Sequence, residues 1–136
     1  MNISERLIFA LDVADEDRAK QLVEELDGLV SFFKVGIQLQ LSTGLNFARW
    51  LINHDKKVFL DLKYYDVPET VRLAVEKAAQ SGVSFLTIHG DSAIMNGAVA
   101  GRGKTELKLL AVTVLTSLDT TGLLELGFGS TVEELV

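Results

Sequence analysis

The densest group of ionisable side chains lies in Leu60-Asp61-Leu62-Lys63-Tyr64-Tyr65-Asp66-Val67-Pro68-Glu69-Thr70. Side chains alternate faces along a strand, so Asp61 and Lys63, two positions apart, point the same way while Leu60 and Leu62 take the opposite face. The plain structural reading is an internal ion pair that finishes a strand end. Buried charge is costly, however, and Lys34 on a neighbouring apolar run adds a second cation. An alternating array of Lys34, Asp61, Lys63 and Asp66 keeps each ammonium charged and each carboxylate ionised. Such an array suits a substrate anion that loses negative charge from one group, with a carbanion developing beside a lysine able to donate a proton.

The elements that must position these groups are five apolar runs, Leu7 to Val13, Phe32 to Ile37, Lys57 to Tyr64, Phe85 to Gly90 and Leu109 to Ser117, whose starts are 25, 25, 28 and 24 residues apart. Segments of helical period separate them, which is the pattern of parallel βα units. Asp15 is a good N-cap for the first, with Ala19, Leu22, Val23 and Leu26 on one face and Gly28 as the stop. The third opens at Pro68 and Glu69, carries Val71, Ala74, Val75, Ala78 and Ala79 on one side, and ends at Gly82. The second, around Phe47 to Ile52, is less regular. Two α/β architectures fit, a doubly wound open sheet and a (β/α) barrel. The strand runs end in Asp12, Lys34, Asp61 with Lys63, His89, and Thr116 with Ser117. Polar groups converging from several strand ends predict the barrel, whose active site sits on that face.

Composition narrows the chemistry. The chain has 136 residues, 48% of them hydrophobic, with 13 Lys+Arg against 19 Asp+Glu and a net charge of −6. This balance argues against a nucleic-acid binder and requires a local cationic pocket for any anionic ligand. The absence of Cys removes thiolate metal sites and Cys nucleophiles, and His54 and His89 are too far apart for a His-cluster metal motif. The longest apolar stretch, Leu109 to Leu115 interrupted by Thr113, is too short to span a bilayer, and Asp12 cuts off any signal-peptide core. The expectation is a soluble cytoplasmic protein without membrane contact.

Asp61-x-Lys63-x-x-Asp66 followed by Val67-Pro68-x-Thr70 resembles the signature of the orotidine 5'-phosphate decarboxylase family. Further matches run in order along the chain: Leu11-Asp12-Val13, Phe33-Lys34-Val35-Gly36, Thr87-Ile88-His89-Gly90 and Val112-Thr113-Val114-Leu115-Thr116-Ser117. The resemblance implies a (β/α)8 TIM barrel that converts orotidine monophosphate to uridine monophosphate without metal or organic cofactor. Residues 1–136 then form the N-terminal part of a single barrel domain, about its first five strands and four helices. Carried over by position, Asp12 resembles a residue bonding the pyrimidine or ribose, and Lys34 a ribose-contacting lysine that also charges Asp61. Asp61 would face the substrate carboxylate, and Lys63 is similar to the proton donor to C6. Asp66 and Thr70 resemble residues that reach across a homodimer interface into the partner's site. Thr116 is similar to a base-contacting position on the fifth strand, with Ser117 adjacent.

Other readings are weaker. His89 is read as a lining residue, His54 as a solvated turn, and Trp50, Phe32 and Phe33 as packing residues. Gly97 to Thr105 contains Gly-Lys-Thr, but Ala98 stands where a P-loop needs its first glycine, and the segment is read as a loop leading into a strand. Metal-dependent sugar-phosphate decarboxylases and aldolase-like relatives share the Asp-x-Lys-x-x-Asp strand, yet hold the metal partly through an acidic residue where this chain has Lys34. A half-barrel without the phosphate-holding loops of the last two units is the non-enzymatic alternative, with an exposed sheet edge. On that reading turnover requires the complementary C-terminal half, and Ser130 to Glu134 begins a fifth helix.

Overall fold

The structure, a computed structural model, describes residues 6–136. Five strands, β1 (Phe9–Ala10), β2 (Phe32–Gly36), β3 (Lys57–Tyr64), β4 (Phe85–His89) and β5 (Lys108–Val112), form one parallel sheet in the order 1-2-3-4-5. That order decides between the two architectures. A doubly wound sheet reverses its strand order at a switch point, whereas sequential parallel strands joined by helices are the arrangement of a (β/α) barrel.

The connections follow the sequence signals. Helix α1 (Glu16–Glu25) starts where the Asp15 carboxylate accepts the Arg18 N–H at 2.8 Å, and buries Ala19 and Val23. The irregular second connection is two helices, α2 (Ile37–Thr43) and α3 (Leu45–Asn53), divided at Gly44 with φ +58°. Helix α4 (Pro68–Gln80) has Pro68 in its first turn and buries Val71, Val75, Ala78 and Ala79. Two short helices, α6 (Thr120–Glu125) and α7 (Val132–Leu135), follow β5, and Thr131 with Glu134 forms a capping box on the second.

One expectation is overturned. Gly97 to Arg102 is not loop but the second half of helix α5 (Ser92–Arg102), begun by the Asp91 carboxylate accepting from the Ala93 and Ile94 amides. Glycine costs a helix roughly 1 kcal/mol against alanine, and close packing explains its presence. A Cβ at Gly97 would lie 2.5 Å from the Pro68 carbonyl oxygen, and one at Gly101 would overlap that of Arg72. The glycines let α5 lie directly on the backbone of α4.

Strand alternation sorts the two faces of the sheet. Phe33, Val35, Val58, Leu60, Leu86 and Ile88 are buried in the core formed with the helices. The other face carries Phe32, Phe59 and Phe85 toward the strand N-termini, packed edge to face at centroid distances of 5.2 and 5.9 Å. Further along the same strands this face carries Lys34, Asp61, Lys63 and Thr87.

Candidate active site

The site grows from an irregularity in β3. Its pairing with β4 runs Phe59 with Phe85 and Leu60 with Leu86, then resumes at Tyr64 with Ile88. Between those pairs β3 has three residues, Asp61, Leu62 and Lys63, opposite the single Thr87. The ladder is locally broken, as at a β-bulge. Lys63 sits at φ +47°, the left-handed region that side-chain-bearing residues rarely occupy, which costs about 1–3 kcal/mol. Strained backbone of this kind clusters at functional sites.

Around the bulge the charges form one connected array. Lys63 Nζ donates to Asp61 Oδ1 at 2.7 Å, and Lys34 Nζ stands 3.6 Å from Asp61 Oδ2 and 3.2 Å from Asp12 Oδ1. The alternation expected of β3 therefore holds for Asp61 and Lys63. Thr87 Oγ1 donates to Asp61 Oδ1 at 2.9 Å. The Asp61 side chain is only 16% exposed. Burial pushes its carboxyl up, but hydrogen bonds from Lys63 and Thr87 and the charges of Lys63 and Lys34 outweigh burial, so its pKa falls below the ordinary carboxylate value. Asp61 is a carboxylate at neutral pH, held between two ammonium groups.

The array opens into a cavity of about 450 Å³ lined by Asp61, Lys63, Thr87, Val112, Val114, Leu115, Thr116 and Ser117. Thr116 and Ser117 are thus brought to the same cavity as the charged pair, though not from a strand. β5 ends at Val112, where the Gly90 amide makes the last bond to it, and Thr116 and Ser117 lie in the following turn, closed by the Leu118 amide on the Leu115 carbonyl. The fifth strand stops because its partner β4 runs out at His89.

Asp66 and Thr70 stand apart from this array. Asp66 is exposed in the loop after β3, where Oδ1 accepts the Val67 N–H at 2.6 Å, and Thr70 is exposed in the first turn of α4. Exposed Tyr65 and Val67 flank Asp66, and exposed Ile37 and Leu41 lie on α2. His89, half-buried at the end of β4, has its ring 4.7 Å from that of Tyr65. His54 is exposed at the end of α3 and packs on Trp50. Thr87, part of the Thr87-Ile88-His89-Gly90 match, is the site residue to which the sequence assigns no role. The available signal was its position two residues before His89 on the same strand face.

A larger cavity, about 570 Å³, lies at the opposite ends of the strands, lined by Arg6, Ile8, Phe32, Lys57, Phe85, Glu106 and Lys108 among others. Among the described residues that line it, no carboxylate stands between two lysines as Asp61 does and no side-chain-bearing residue sits at positive φ, so chemistry rather than size selects the site. Among the described residues no three His, Asp or Glu side chains gather as a metal-ligand group, and no helix is long and apolar enough to cross a membrane.

Comparison with known proteins identifies relatives of the same fold. The family model described as "Orotidine 5'-phosphate decarboxylase / HUMPS family" matches residues 5–136. The chain is 53% identical over 132 residues to the orotidine 5'-phosphate decarboxylase of Nitrobacter winogradskyi, covering 97% of this chain and 55% of that protein. It is 54% identical over 136 residues to that of Methylococcus capsulatus, covering 98% and 55%. The crystal structure of orotidine 5'-phosphate decarboxylase from Lactobacillus acidophilus superimposes with a TM-score of 0.86 at 33% identity, over 96% of this chain and 62% of that one. An uncharacterized conserved protein from Geobacillus kaustophilus gives 0.87 at 31% identity, over 94% and 64%. The chain spans about 55% of the length of these curated relatives.

Proposed function

From the premise that this chain belongs to the orotidine 5'-phosphate decarboxylase / HUMPS family, we propose that its strand-end array serves the decarboxylation of orotidine 5'-monophosphate to uridine 5'-monophosphate. The observation that carries this reading is Asp61, ionised and nearly buried between Lys34 and Lys63. Asp61 faces the substrate carboxylate. Carbon dioxide leaves, the electron pair of the broken bond stays on C6, and the Lys63 ammonium first stabilises that pair and then protonates it. Lys34 contacts the ribose while neutralising Asp61, Asp12 bonds the ribose or pyrimidine, and Thr116, with Ser117 beside it, meets the base from the turn after β5. The reaction needs no metal and no organic cofactor, and is read as cytoplasmic.

Residues 1–136 are read as the N-terminal part of a single (β/α)8 domain, and turnover as requiring the rest of the barrel, where the phosphate is held. Asp66 and Thr70 are read as reaching the site of a second copy in a homodimer. Their exposure beside the exposed Tyr65 and Val67 supports an interface there. The competing reading, a metal-dependent sugar-phosphate decarboxylase, is disfavoured by Lys34, whose ammonium already sits between Asp12 and Asp61. The test is to follow loss of orotidine 5'-monophosphate by the full-length protein after exhaustive EDTA treatment. Sustained turnover supports this reading, whereas turnover lost to EDTA and restored by magnesium overturns it.

A further inference from the structure

We propose that the Thr87 hydroxyl is a positioning group that locks the Asp61 carboxylate and the left-handed Lys63 backbone into one geometry. As an account of catalysis it rests on the decarboxylase reading above. The bulge removes the normal ladder partner of the Lys63 amide, because three residues of β3 face one of β4. A buried N–H without a partner is destabilising, and here the partner is a side chain: Lys63 N–H donates to Thr87 Oγ1 at 2.9 Å. A hydroxyl has one proton, and that of Thr87 goes to Asp61 Oδ1 at 2.9 Å. The same Asp61 oxygen accepts from Lys63 Nζ at 2.7 Å.

Thr87 Oγ1, Asp61 Oδ1 and Lys63 therefore close a ring. The backbone of Lys63 is tied to Thr87, Thr87 to Asp61, and Asp61 back to the Lys63 ammonium. Thr87 is 5% exposed on β4, an interior strand of the sheet, so its hydroxyl is held by the packing around it. The ring fixes two things that a flexible lysine on a strained backbone would otherwise lose. One is the position of the ammonium over the cavity, and the other is the orientation of the carboxylate between its two cations. Lys34 holds only the other Asp61 oxygen and does not replace this tie.

The discriminating variants are Thr87→Val, which keeps shape and removes the hydroxyl, and Thr87→Ser, which keeps the hydroxyl. In the full-length protein, Thr87→Val should lower kcat for orotidine 5'-monophosphate by about 10- to 100-fold with KM within about threefold, since misplaced reacting groups cost rate more than binding. Thr87→Ser should restore kcat to within about threefold. Hydrogen exchange of the Lys63 amide should accelerate at least about tenfold in Thr87→Val and stay near wild type in Thr87→Ser. Wild-type turnover with an unchanged kcat and an unchanged Lys63 amide in Thr87→Val overturns the inference. So does a rate loss in Thr87→Val that Thr87→Ser shares, because that reports packing. Should the wild-type protein not decarboxylate, the proposed function falls, and Lys63 amide exchange still decides the tie on its own.

Discussion

The two ends of the sheet's inner face are built from the same strands and differ in kind. Toward the strand N-termini, Phe32, Phe59 and Phe85 pack edge to face, and Lys108 lays its ammonium 5.7 Å from the centre of the Phe85 ring. Toward the C-termini, within a few residues on each strand, the face becomes Lys34, Asp61, Lys63 and Thr87, joined by hydrogen bonds and ion pairs and carried on a bulge. The first end is regularly paired, centred on packed aromatic rings and opens on the larger cavity; the second is irregular, centred on an ion-paired array and opens on the smaller one. Regular pairing buries area cheaply, whereas a carboxylate between two ammonium groups and a lysine at positive φ persist only where surrounding structure enforces them. On the proposed function, the contrast separates a stability end from a chemical end.

The sharpest test of that separation is Lys63→Ala in the full-length protein. Loss of the proposed proton donor should cut kcat by about 10³-fold or more with the fold retained, since alanine keeps the same Cβ at this positive φ. A near-normal rate would remove Lys63 from its role and blur the two ends. The mirror experiment is Phe32→Ala, which deletes a ring 5% exposed and should cost about 3–5 kcal/mol in denaturant titration while KM stays the same. A rate loss at full folding would show that the aromatic end also acts in chemistry.

Helix packing behind the sheet gives the next effect. Gly101→Ala drives a methyl group into the Arg72 carbonyl and should cost about 1–3 kcal/mol, although alanine is the better helix former. A neutral or stabilising result would show that α4 and α5 can part without loss. Acid should discriminate the ends too. Asp61 has a folded pKa below its ordinary 3.8, so the stability it contributes is complete above that value and is lost as pH falls through the lower folded value. The stability difference between wild type and Asp61→Asn should be flat from about pH 5 to 8 and shift against wild type at stronger acidity. A difference that grows on acidification would contradict the lowered pKa. The smallest effect is expected from Lys108→Ala, about 0.5–1 kcal/mol from the lost ring contact, with no change in turnover.

Much of this arrangement is legible in the order of residues. The run Lys57 to Tyr64 coincides with β3, and Asp15, Pro68, Gly28 and Gly82 bound their helices as local rules require. Asp61 and Lys63 share a face, as two-residue spacing on a strand leads one to expect, and they meet at 2.7 Å across the bulge. What failed locally failed for tertiary reasons. Gly97 to Thr105 reads as a loop leading into a strand once the P-loop match fails, and only contact with the α4 backbone makes Gly97 and Gly101 an advantage within a helix. Leu7 to Val13 shrinks to two paired residues, and β5 ends before Thr116 because β4 offers it no partner beyond His89.

By itself the sequence determined the parallel βα pattern, the alternation that pairs Asp61 with Lys63, and the motif by which the family is known, since these depend on spacing within one or two elements. Only the tertiary structure decided that Lys34 stands between Asp12 and Asp61, that Thr87 stands opposite a bulge and ties it, and that Asp66 remains outside the array. Those facts rest on the register between strands, and register is a property of pairs of segments that no single segment encodes.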